Sequence, residues 1–439
     1  MSDMTSLVSY TEMKDSGIHW MGIIPKHWDI QKAKFHFTQT NTRGNGTPIL
    51  LAASQKYGVC PQSWLEGVVQ ISENTDLQQF KTVHKNDFVI SLRSFQGGFE
   101  RSDFEGVCSP AYQVFHADDL FNKDYLKYLF KNELFIDEMN SLTVGIREGR
   151  NIKYDDFANS LIFIPPLNEQ STIAAYLDTQ CAKIDEIIAE AKTSIEDYKQ
   201  WKASIIYEVV TKGLDPNVEM KDSGIEWIGQ IPNNWGVLRL KYVITFIESG
   251  VSVNASQSAA EKGKIGVLKT SSVSKYCFDP EENKEVNLDE LDRVSCPVMA
   301  NTIIVSRMNT PELVGACGYV EHDYPNLFLP DRLWQVHFYD SVVVKYIWYY
   351  LSSNYIRNYY SSLSSGTSSS MQNISKGQFE NAHLILPPLE IQSNIVEFLD
   401  KKCSALDDLI NEKKSLIADL EAYKKSLIYE VVTGKKRVY

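Results

Sequence analysis

The hydrophobic and polar positions of residues 164–211 follow a heptad repeat. Apolar residues recur there at alternating steps of four and three, chiefly Leu177, Ile184, Ile188, Ile195 and Ile205. Charged side chains occupy the other faces, which is typical of a helix that buries one seam against a partner helix. Two prolines precede the pattern, so we predict a long helix that begins near Glu169, with Asn168 as its cap.

The same stretch is repeated later in the chain, at residues 386–433. The two copies differ in position by 222 (386 − 164) and share 23 identities over 48 positions without a gap. The seam of the second copy is formed by Leu399, Leu406, Ile410, Ile417 and Leu427. Because both copies end in the same six residues, chance similarity between two unrelated core helices is a poor explanation. Each copy is therefore the natural partner for the other's apolar seam.

A second repeat precedes each variable region. Residues 14–28 and 221–235 share 10 identities in 15 positions, and each copy carries two tryptophans: Trp20, Trp28, Trp227 and Trp235. We expect these tryptophans to pack in a core, and a partner interface is the alternative. A long helix precedes the second copy, whereas no helix precedes the first. We therefore predict that residues 1–28 pack near the end of the second helix.

The two regions between the repeats have little sequence in common but the same order of predicted elements. Each contains short β-like runs followed by a helix-like stretch, which predicts a mixed α/β globule. The β runs are at 47–51, 87–93, 265–269 and 301–307, and the helix-like stretches are at 125–139 and 342–360. The predicted divisions are a Trp/Pro element, a globular domain and a helix, in two copies: 1–28, 29–163 and 164–212, then 213–235, 236–385 and 386–439.

Composition narrows the class of protein. The 439 residues are 43% hydrophobic and 23% charged, and no run of eighteen apolar residues occurs. We expect a cytoplasmic protein without a membrane span. The seven cysteines are scattered without a Cys-x-x-Cys pair, which predicts neither disulfides nor a zinc site. The net charge of −12 means that any binding to DNA needs a local basic patch or a basic partner.

Motifs for catalysis are missing from the sequence. The Gly-Lys-Lys at 434–436 lacks the preceding glycine of a phosphate-binding loop, and Gly434 fits a helix cap instead. The Pro-Pro junctions lack the polar and aromatic residues with which adenine methyltransferases hold a flipped base. The pairs Glu190/Lys192 and Glu282/Lys284 lack a suitably spaced aspartate, which argues against a nuclease site.

The whole pattern resembles the specificity subunit of Type I restriction–modification enzymes. The resemblance rests on the Gly-Ile-x-Trp-x-Gly-x-Ile-Pro-x-x-Trp element before each variable region and the Pro-Pro-Leu-x-x-Gln junction before each long helix, and it covers essentially the whole chain. It implies an α+β fold. Two mixed α/β target-recognition domains would be separated by two long antiparallel coiled-coil helices related by a pseudo-twofold repeat.

The same resemblance implies a function and partners. Each domain would read half of a bipartite, asymmetric site in double-stranded DNA, and the helices would fix the distance between half-sites. The chain would be non-catalytic and bind no cofactor. It would dock two methyltransferase subunits carrying S-adenosylmethionine and two restriction subunits that use ATP and Mg²⁺. The repeat itself makes Lys202 and Lys424 equivalent polar positions in the seam, and from this equivalence we expect them to mark where the helices diverge to receive the methyltransferases.

Candidate base contacts follow β runs or lie in the loop that ends each variable region. Those after β runs are Arg93 and Gln96 in the first region and Arg307 and Asn309 in the second. A guanidinium there suits guanine O6 and N7, and a surface salt bridge is the alternative. The loop candidates are Arg147, Arg150, Asn151 and Lys153 in the first region and Thr367, Ser369, Gln372 and Asn373 in the second. The alternatives are a solvated loop and a flexible Ser-rich linker, respectively.

One competing function remains open. The chain would be a non-catalytic structural adaptor, or an anti-restriction or phage-defence scaffold, that keeps the helices without reading DNA. The weakly acidic variable regions favour this alternative, since residues 29–160 carry 14 basic and 17 acidic side chains.

Overall fold

The computed structural model describes residues 7–44, 49–65, 77–91, 98–142, 152–226, 228–368 and 371–438. The side chains of residues 367 and 368 lie outside this description. The chain forms two compact units, Met1–Lys192 with Lys414–Tyr439, and Thr193–Lys413, which we call the first and the second unit.

Two long helices dominate the helical content of the described residues. In chain order the α-helices are α1 Lys123–Leu129, α2 Glu133–Ser141, α3 Tyr154–Asn159, α4 Leu167–Lys212, α5 Val344–Ser352, α6 Asn354–Leu363, α7 Lys376–Glu380 and α8 Leu389–Val432. The predicted start of α4 near Glu169, with Asn168 as cap, is wrong. The carbonyl of Pro166 accepts the N–H of Gln170 at 3.0 Å, so the first turn begins at Leu167 and Asn168 lies within it.

Each helix-like stretch of the variable regions consists of two helices rather than one. In the first unit the side chain of Asn132 accepts the N–H of Leu134 at 2.9 Å and so caps α2. In the second unit Ser353 is extended, with φ −64° and ψ 142°, and separates α5 from α6. Capping side chains compete with helix continuation, and periodicity alone does not register this.

The first unit contains two four-stranded sheets and two pairs of short strands. Its strands are β1 Met13–Asp15, β2 Ile23–Pro25, β3 Asp29–Lys32, β4 Phe37–Thr40, β5 Leu50–Ser54, β6 Gly58–Pro61, β7 Lys81–Val83, β8 Phe88–Ile90, β9 Phe99–Arg101, β10 Gly106–Cys108, β11 Gln113–Ala117 and β12 Leu161–Ile164. The sheet orders are β6-β5-β10-β7 and β4-β11-β8-β9, and β3 pairs with β12. Aromatic rings of β8, β9 and β11, including Phe88, Phe99 and Phe115, pack on Phe130 and Phe157 to form the core.

The second unit repeats this layout and adds a third sheet. Its strands are β13 Met220–Asp222, β14 Gln230–Pro232, β15 Gly236–Arg239, β16 Ile244–Ser249, β17 Gly266–Leu268, β18 Asn283–Glu285, β19 Pro297–Val298, β20 Thr302–Ser306, β21 Met308–Asn309, β22 Cys317–Val320, β23 Tyr324–Phe328, β24 Leu333–Phe338, β25 Ser365–Ser368, β26 Met371–Asn373 and β27 His383–Leu386. The sheet orders are β16-β24-β20-β22, β18-β17-β23-β19 and β21-β26-β25. The last of these carries the candidate site.

In each unit the leading half of one long helix packs with the trailing half of the other, which is antiparallel pairing. Leu177 of α4 shares the first unit's core with Leu427 of α8, and Val210 of α4 shares the second unit's core with Leu399 of α8. The buried positions of the predicted seam are Leu177, Ile184, Ile188, Ile195, Leu399, Leu406, Ile410 and Leu427. Ile205 and Ile417 are only partly buried.

Lys202 and Lys424 join the two helices. Lys202 Nζ lies 2.6 Å from Asp407, and Lys424 Nζ lies 2.6 Å from Asp185. Both pairs obey the repeat, because 202 + 222 = 424 and 185 + 222 = 407. The prediction that the helices diverge at these lysines is therefore wrong: a lysine at a seam edge extends its amine to an opposite charge across the interface.

The N-terminal segment contacts the end of α8. Val8 forms a backbone bridge with Arg437, and Lys435 donates to the carbonyl of Met21 at 2.8 Å. Gly434 has φ +70°, which gives α8 the left-handed C-cap that its sequence predicts. Trp20, Trp28 and Trp235 are buried, so core packing is confirmed for these three, and Trp227 lies outside the described residues.

The predicted fold class is confirmed: two mixed α/β domains and two long antiparallel helices form an internal repeat. Within the described residues, no helix combines the length and apolar character that crossing a membrane requires.

Candidate nucleic-acid interface

The third sheet of the second unit brings together two of the predicted binding stretches. Strand β21 pairs antiparallel with β26, so that Met308 lies opposite Asn373 and Asn309 lies opposite Gln372. The sequence placed Arg307 and Asn309 at and after the end of the β run 301–307, and residues 364–373 in a separate polar loop. The structure makes them neighbours and gives the second the order of a paired strand.

Local geometry explains why this small sheet forms. Gly366 in β25 lies so close to β26 that an added Cβ would be 2.1 Å from the carbonyl oxygen of Met371. The carbonyl of Arg307 accepts the N–H of Ile374 at 3.0 Å, and Ile374 is fully buried. The backbone is therefore fixed on both sides of β26, and the polar side chains stand on a rigid element rather than on a flexible linker.

Two polar atoms at this sheet lack partners. Among the described residues, neither Nε of Arg307 nor Oδ1 of Asn373 has a hydrogen bond, although both atoms are buried. A buried polar group left unpaired costs about 1–3 kcal/mol. The guanidinium of Arg307, just before β21, and the amide of Asn373 on β26 each have unused capacity, and these groups have the donors and acceptors that read guanine and adenine edges. The salt-bridge alternative for Arg307 finds no acidic partner in the described part of the chain.

The other candidates of the second unit differ in role. The amide of Asn309 is used within the chain, where it donates to Ser306 Oγ at 3.2 Å and accepts the N–H of Thr310 at 2.9 Å. Gln372 is partly buried on β26. Thr367 belongs to β25 but its side chain is outside the described part, and Ser369 lies outside the described residues altogether.

Most of the candidate base contacts of the first unit lie outside the described residues. Arg93, Gln96, Arg147, Arg150 and Asn151 lie outside the described residues. Lys153 is exposed at the residue before α3, where its side chain makes no cap.

A cleft of about 470 Å³ opens in the second unit, lined on one side by residues 252–255 and on another by residues 330–332. Its cationic lining residues are Lys269, Lys284 and Arg332. The carbonyl of Arg332 accepts the N–H of Arg307 at 3.1 Å, so the cleft adjoins the base-reading candidate directly. The sequence analysis missed this cleft. The available signal was that Lys269 follows a β run directly, just as Arg307 does.

Carboxylates in and beside the cleft are held by hydroxyls. Ser271 donates to Glu282 at 2.6 Å, and this bond, followed by the Lys269 ammonium 3.5 Å away, lowers the pKa of Glu282. Ser252 donates to Asp331 at 2.6 Å. Glu282 therefore stays ionised, and the hydroxyl bonds satisfy part of the accepting capacity of both carboxylates, which leaves the cations only partly compensated.

Metal ligation is a poor fit for these residues. In the described ranges, no group of three or more histidine, cysteine or acidic side chains could hold a metal ion. The cysteines described are free, and Cys181 and Cys403 are buried at equivalent positions of the two long helices.

Comparisons with known proteins match most of this chain to one family. Residues 28–197 and 232–419 match the family model described as Type I restriction modification DNA specificity domain. The chain is 23% identical over 343 residues to the EcoKI specificity subunit of Escherichia coli K12, covering 76% of this chain and 71% of the relative. It is 29% identical over 364 residues to the MjaVIII specificity subunit of Methanocaldococcus jannaschii, covering 81% and 80%.

Solved structures share the fold. A chain from a study of complex assembly and conformational transition of the type I R-M system aligns with a TM-score of 0.68 and 17% identity, over 93% of this chain and 98% of that one. The HsdS subunit of Thermoanaerobacter tengcongensis aligns with a TM-score of 0.52 and 18% identity, over 94% and 98%.

Proposed function

The chain belongs to the Type I restriction modification DNA specificity domain family, and from this premise we propose that it reads a bipartite, asymmetric DNA site. Specificity subunits of these systems recognise DNA targets. The finer assignment is one half-site for each unit, with the paired helices α4 and α8 setting the distance between the halves. If the helices fix the distance between the two readers, half-site spacing is a property of the protein.

The observation that carries this proposal is the pairing of β21 with β26. It sets Arg307 beside Asn373 on a fixed backbone, and each side chain has a buried polar atom without a partner among the described residues. Arginine reads guanine and asparagine reads adenine through two hydrogen bonds each, and one such contact discriminates by about 1–3 kcal/mol. A fully used polar surface would have no donors left for base edges.

Docking of two copies of a methyltransferase subunit is part of the proposal. Large apolar side chains are exposed at repeat-equivalent positions of the long helices: Trp201 is 56% exposed and Tyr423 is 55% exposed. Ile187 and Leu409, also equivalent, are 44% and 38% exposed. Each unit thus offers one aromatic and one aliphatic residue to a partner, which supports two like docking surfaces.

The chemistry belongs to the partners in this proposal. The methyltransferase subunits bind S-adenosylmethionine, and two restriction subunits use ATP and Mg²⁺. This chain is non-catalytic and contributes base contacts, while basic partner surfaces supply most of the phosphate contacts. That division suits a chain with a net charge of −12.

The test compares the sequence methylated by the assembled complex with that of an Arg307→Ala variant. We expect loss of discrimination at one base pair of one half-site, with the other half-site unchanged. Arg239→Ala is the matched control, because Arg239 belongs to the same unit and donates to the Asn381 carbonyl within the chain. An unchanged methylated sequence for Arg307→Ala would contradict the base-reading assignment.

A scaffold that does not read DNA is the competing function, favoured by the weakly acidic variable regions. It predicts that the wild-type complex methylates without sequence preference. It also predicts that exchange of residues 29–163 for those of another member has no effect on the site. Under our proposal the exchange changes one half-site and leaves the other intact.

A further inference from the structure

The cleft lined by Lys269, Lys284 and Arg332 is a candidate anion site that the base-reading argument does not use. We propose that it binds a backbone phosphate of the DNA strand adjacent to the base pair contacted by Arg307. This inference rests on the proposed function and deepens it, because it assigns a positioning contact to the second unit.

Charge in the cleft is the first argument. Three cations line it, against one carboxylate, that of Asp331. Within the described part of the chain, the Arg332 guanidinium has neither a hydrogen bond nor an ion pair. The Lys284 ammonium makes one long contact, 3.5 Å to the amide oxygen of Gln257, and the Lys269 ammonium lies 3.5 Å from Glu282. Each ammonium has three N–H donors, so both retain donors for a further acceptor. A phosphate oxygen is the acceptor that such ammonium and guanidinium groups bind best.

The lining also argues against a base as the occupant. None of the described residues that line the cleft is aromatic, so an unstacked base has no ring to stack on. Polar neutral groups, including Ser252, Asn254 and Thr270, complete the wall. Hydroxyls and amides beside cations are typical contacts to phosphate and sugar.

The wall of the cleft is rigid because of a close backbone approach. Gly250 precedes the segment 252–255 that forms one side, and an added Cβ there would lie 1.6 Å from the carbonyl oxygen of Leu329. Only glycine permits this approach. The segment 252–255 and residues 330–332 are therefore held face to face, and the space between them is preformed.

Position relative to Arg307 is the remaining argument. Ser306 pairs with Leu333 across β20 and β24, and Arg307 and Arg332 follow and precede these residues at the same end of the sheet. Phosphate contacts fix the register of a protein on the duplex, while base contacts specify sequence. A phosphate bound at Arg332 would thus set the depth at which Arg307 meets a base edge.

The experiment measures DNA affinity of the assembled methyltransferase complex against salt concentration, for Arg332→Gln, Lys284→Gln and the double variant. Each lost contact should reduce the slope of log K against log salt by about 0.9 and weaken target and non-target DNA equally. The methylated sequence should stay that of the wild type. Lys241→Gln, an exposed lysine of the same unit outside the cleft lining, is the control and should change neither quantity.

The possible outcomes separate the two proposals. Wild-type slope and affinity in both single variants would overturn the phosphate site while leaving the proposed function intact. A change in the methylated sequence would also overturn it, since the cleft would then read bases. A wild-type complex without sequence preference would overturn the proposed function and this inference together. Arg332 has no described partner within the chain, so loss of folding is not expected to mask the result.

Discussion

The two units share a framework and differ in the surface beside it. Tyr125 donates to the carbonyl of Val432 at 3.0 Å in the first unit, and Tyr346 lies 3.2 Å from the carbonyl of Val210 in the second. The two acceptors are repeat-equivalent, because 210 + 222 = 432. In each unit a buried tyrosine hydroxyl thus binds the domain to the end of a long helix. What repeats is the attachment of domain to helix.

The junction glutamines show the same framework with small differences. Gln170 accepts the N–H of Asn122 at 2.8 Å, and Gln392 accepts the N–H of Val343 at 2.8 Å. Each also donates to the carbonyl of the first proline of its junction, at 2.8 Å in both units. Through its glutamine, the Pro-Pro-Leu-x-x-Gln motif therefore hydrogen-bonds the start of the long helix to the segment before the first helix of the domain.

Among the described residues of the first unit, the positions equivalent to the three cations of the cleft are uncharged. Aligning the sheets on buried Leu51 and Leu268 places Ala52 at the position of Lys269 and Gln62 at that of Lys284. Aligning buried Cys108 with Leu329 likewise places Ala111 at the position of Arg332. The comparison teaches that the same framework can carry surfaces of different charge.

Removing seam leucines tests the shared framework and carries the largest expected effect. Leu177 and Leu399 are both fully buried, each in the core of its own unit. Leu177→Ala and Leu399→Ala should each cost about 2–5 kcal/mol, through lost transfer energy and a cavity. Hydrogen exchange should show lost protection in the first unit for the former and the second unit for the latter. Grossly unequal costs would contradict the equivalence of the two attachments.

A buried carboxylate gives the first unit a pH dependence that the second lacks at the same place. Glu100 is 3% exposed, and burial raises its pKa to about 7 despite its ion pair with Lys131. Aligning Phe99 with Cys317 places Gly318 at the equivalent position. The pKa of Glu100 in the folded protein lies above the ordinary value of 4.5, so the folded state binds its proton more tightly than the unfolded state. The stability gained in this way is fully present below pH 4.5 and is lost as pH rises through 7.

The expected loss of stability from pH 4.5 to above 7 is about 3 kcal/mol, because the pKa rises from 4.5 to about 7 at 1.36 kcal/mol for each pKa unit. Hydrogen exchange across this range measures it, with the second unit as internal reference. Glu100→Gln should flatten the dependence of the first unit. A dependence of equal size in the variant would assign it to other groups.

The repeat made most of the framework predictable from sequence. A fixed offset and a heptad seam sufficed for the two helices and their pairing, because burial of an apolar stripe demands a partner of matching length. The start of α4 was missed because the carbonyl of Pro166, a backbone group, accepts the first helical hydrogen bond. The break at Asn132 was missed because a capping side chain overrides periodicity, and the break at Ser353 was missed because it depends on one extended residue that carries no side-chain cap.

The candidate site was predictable only in its parts. Arg307 and Asn373 were singled out by residue type and by their place at the end of a β run or in a polar loop. Their adjacency depends on the pairing of β21 with β26, a contact between distant parts of the chain. The cleft depends on Gly250 meeting Leu329, which no periodicity reveals. Buried cores can be predicted because hydrophobic residues recur with a regular period, and polar surfaces have no such period.

Cross-helix ion pairs carry the smallest expected effect and test the register of the framework. Lys202–Asp407 and Lys424–Asp185 are equivalent pairs whose aspartates are about half exposed, so each is worth about 0.5 kcal/mol at most. Lys202→Asp should cost slightly more, because it sets like charges against each other, and adding Asp407→Lys should restore stability. Urea unfolding at low and high salt measures both steps.

The same exchange at Lys424 and Asp185 is the matched control, and the two sets should respond alike. Like responses follow if the pairs only fix helix register, since the two sites then differ in nothing but position along the repeat. If the exchanged lysine–aspartate pair does not recover stability, the stabilisation comes from neighbouring residues that favour the original orientation and not from the ion pair itself. Salt should diminish each effect, because exposed charges are screened within about 10 Å at 0.1 M ionic strength.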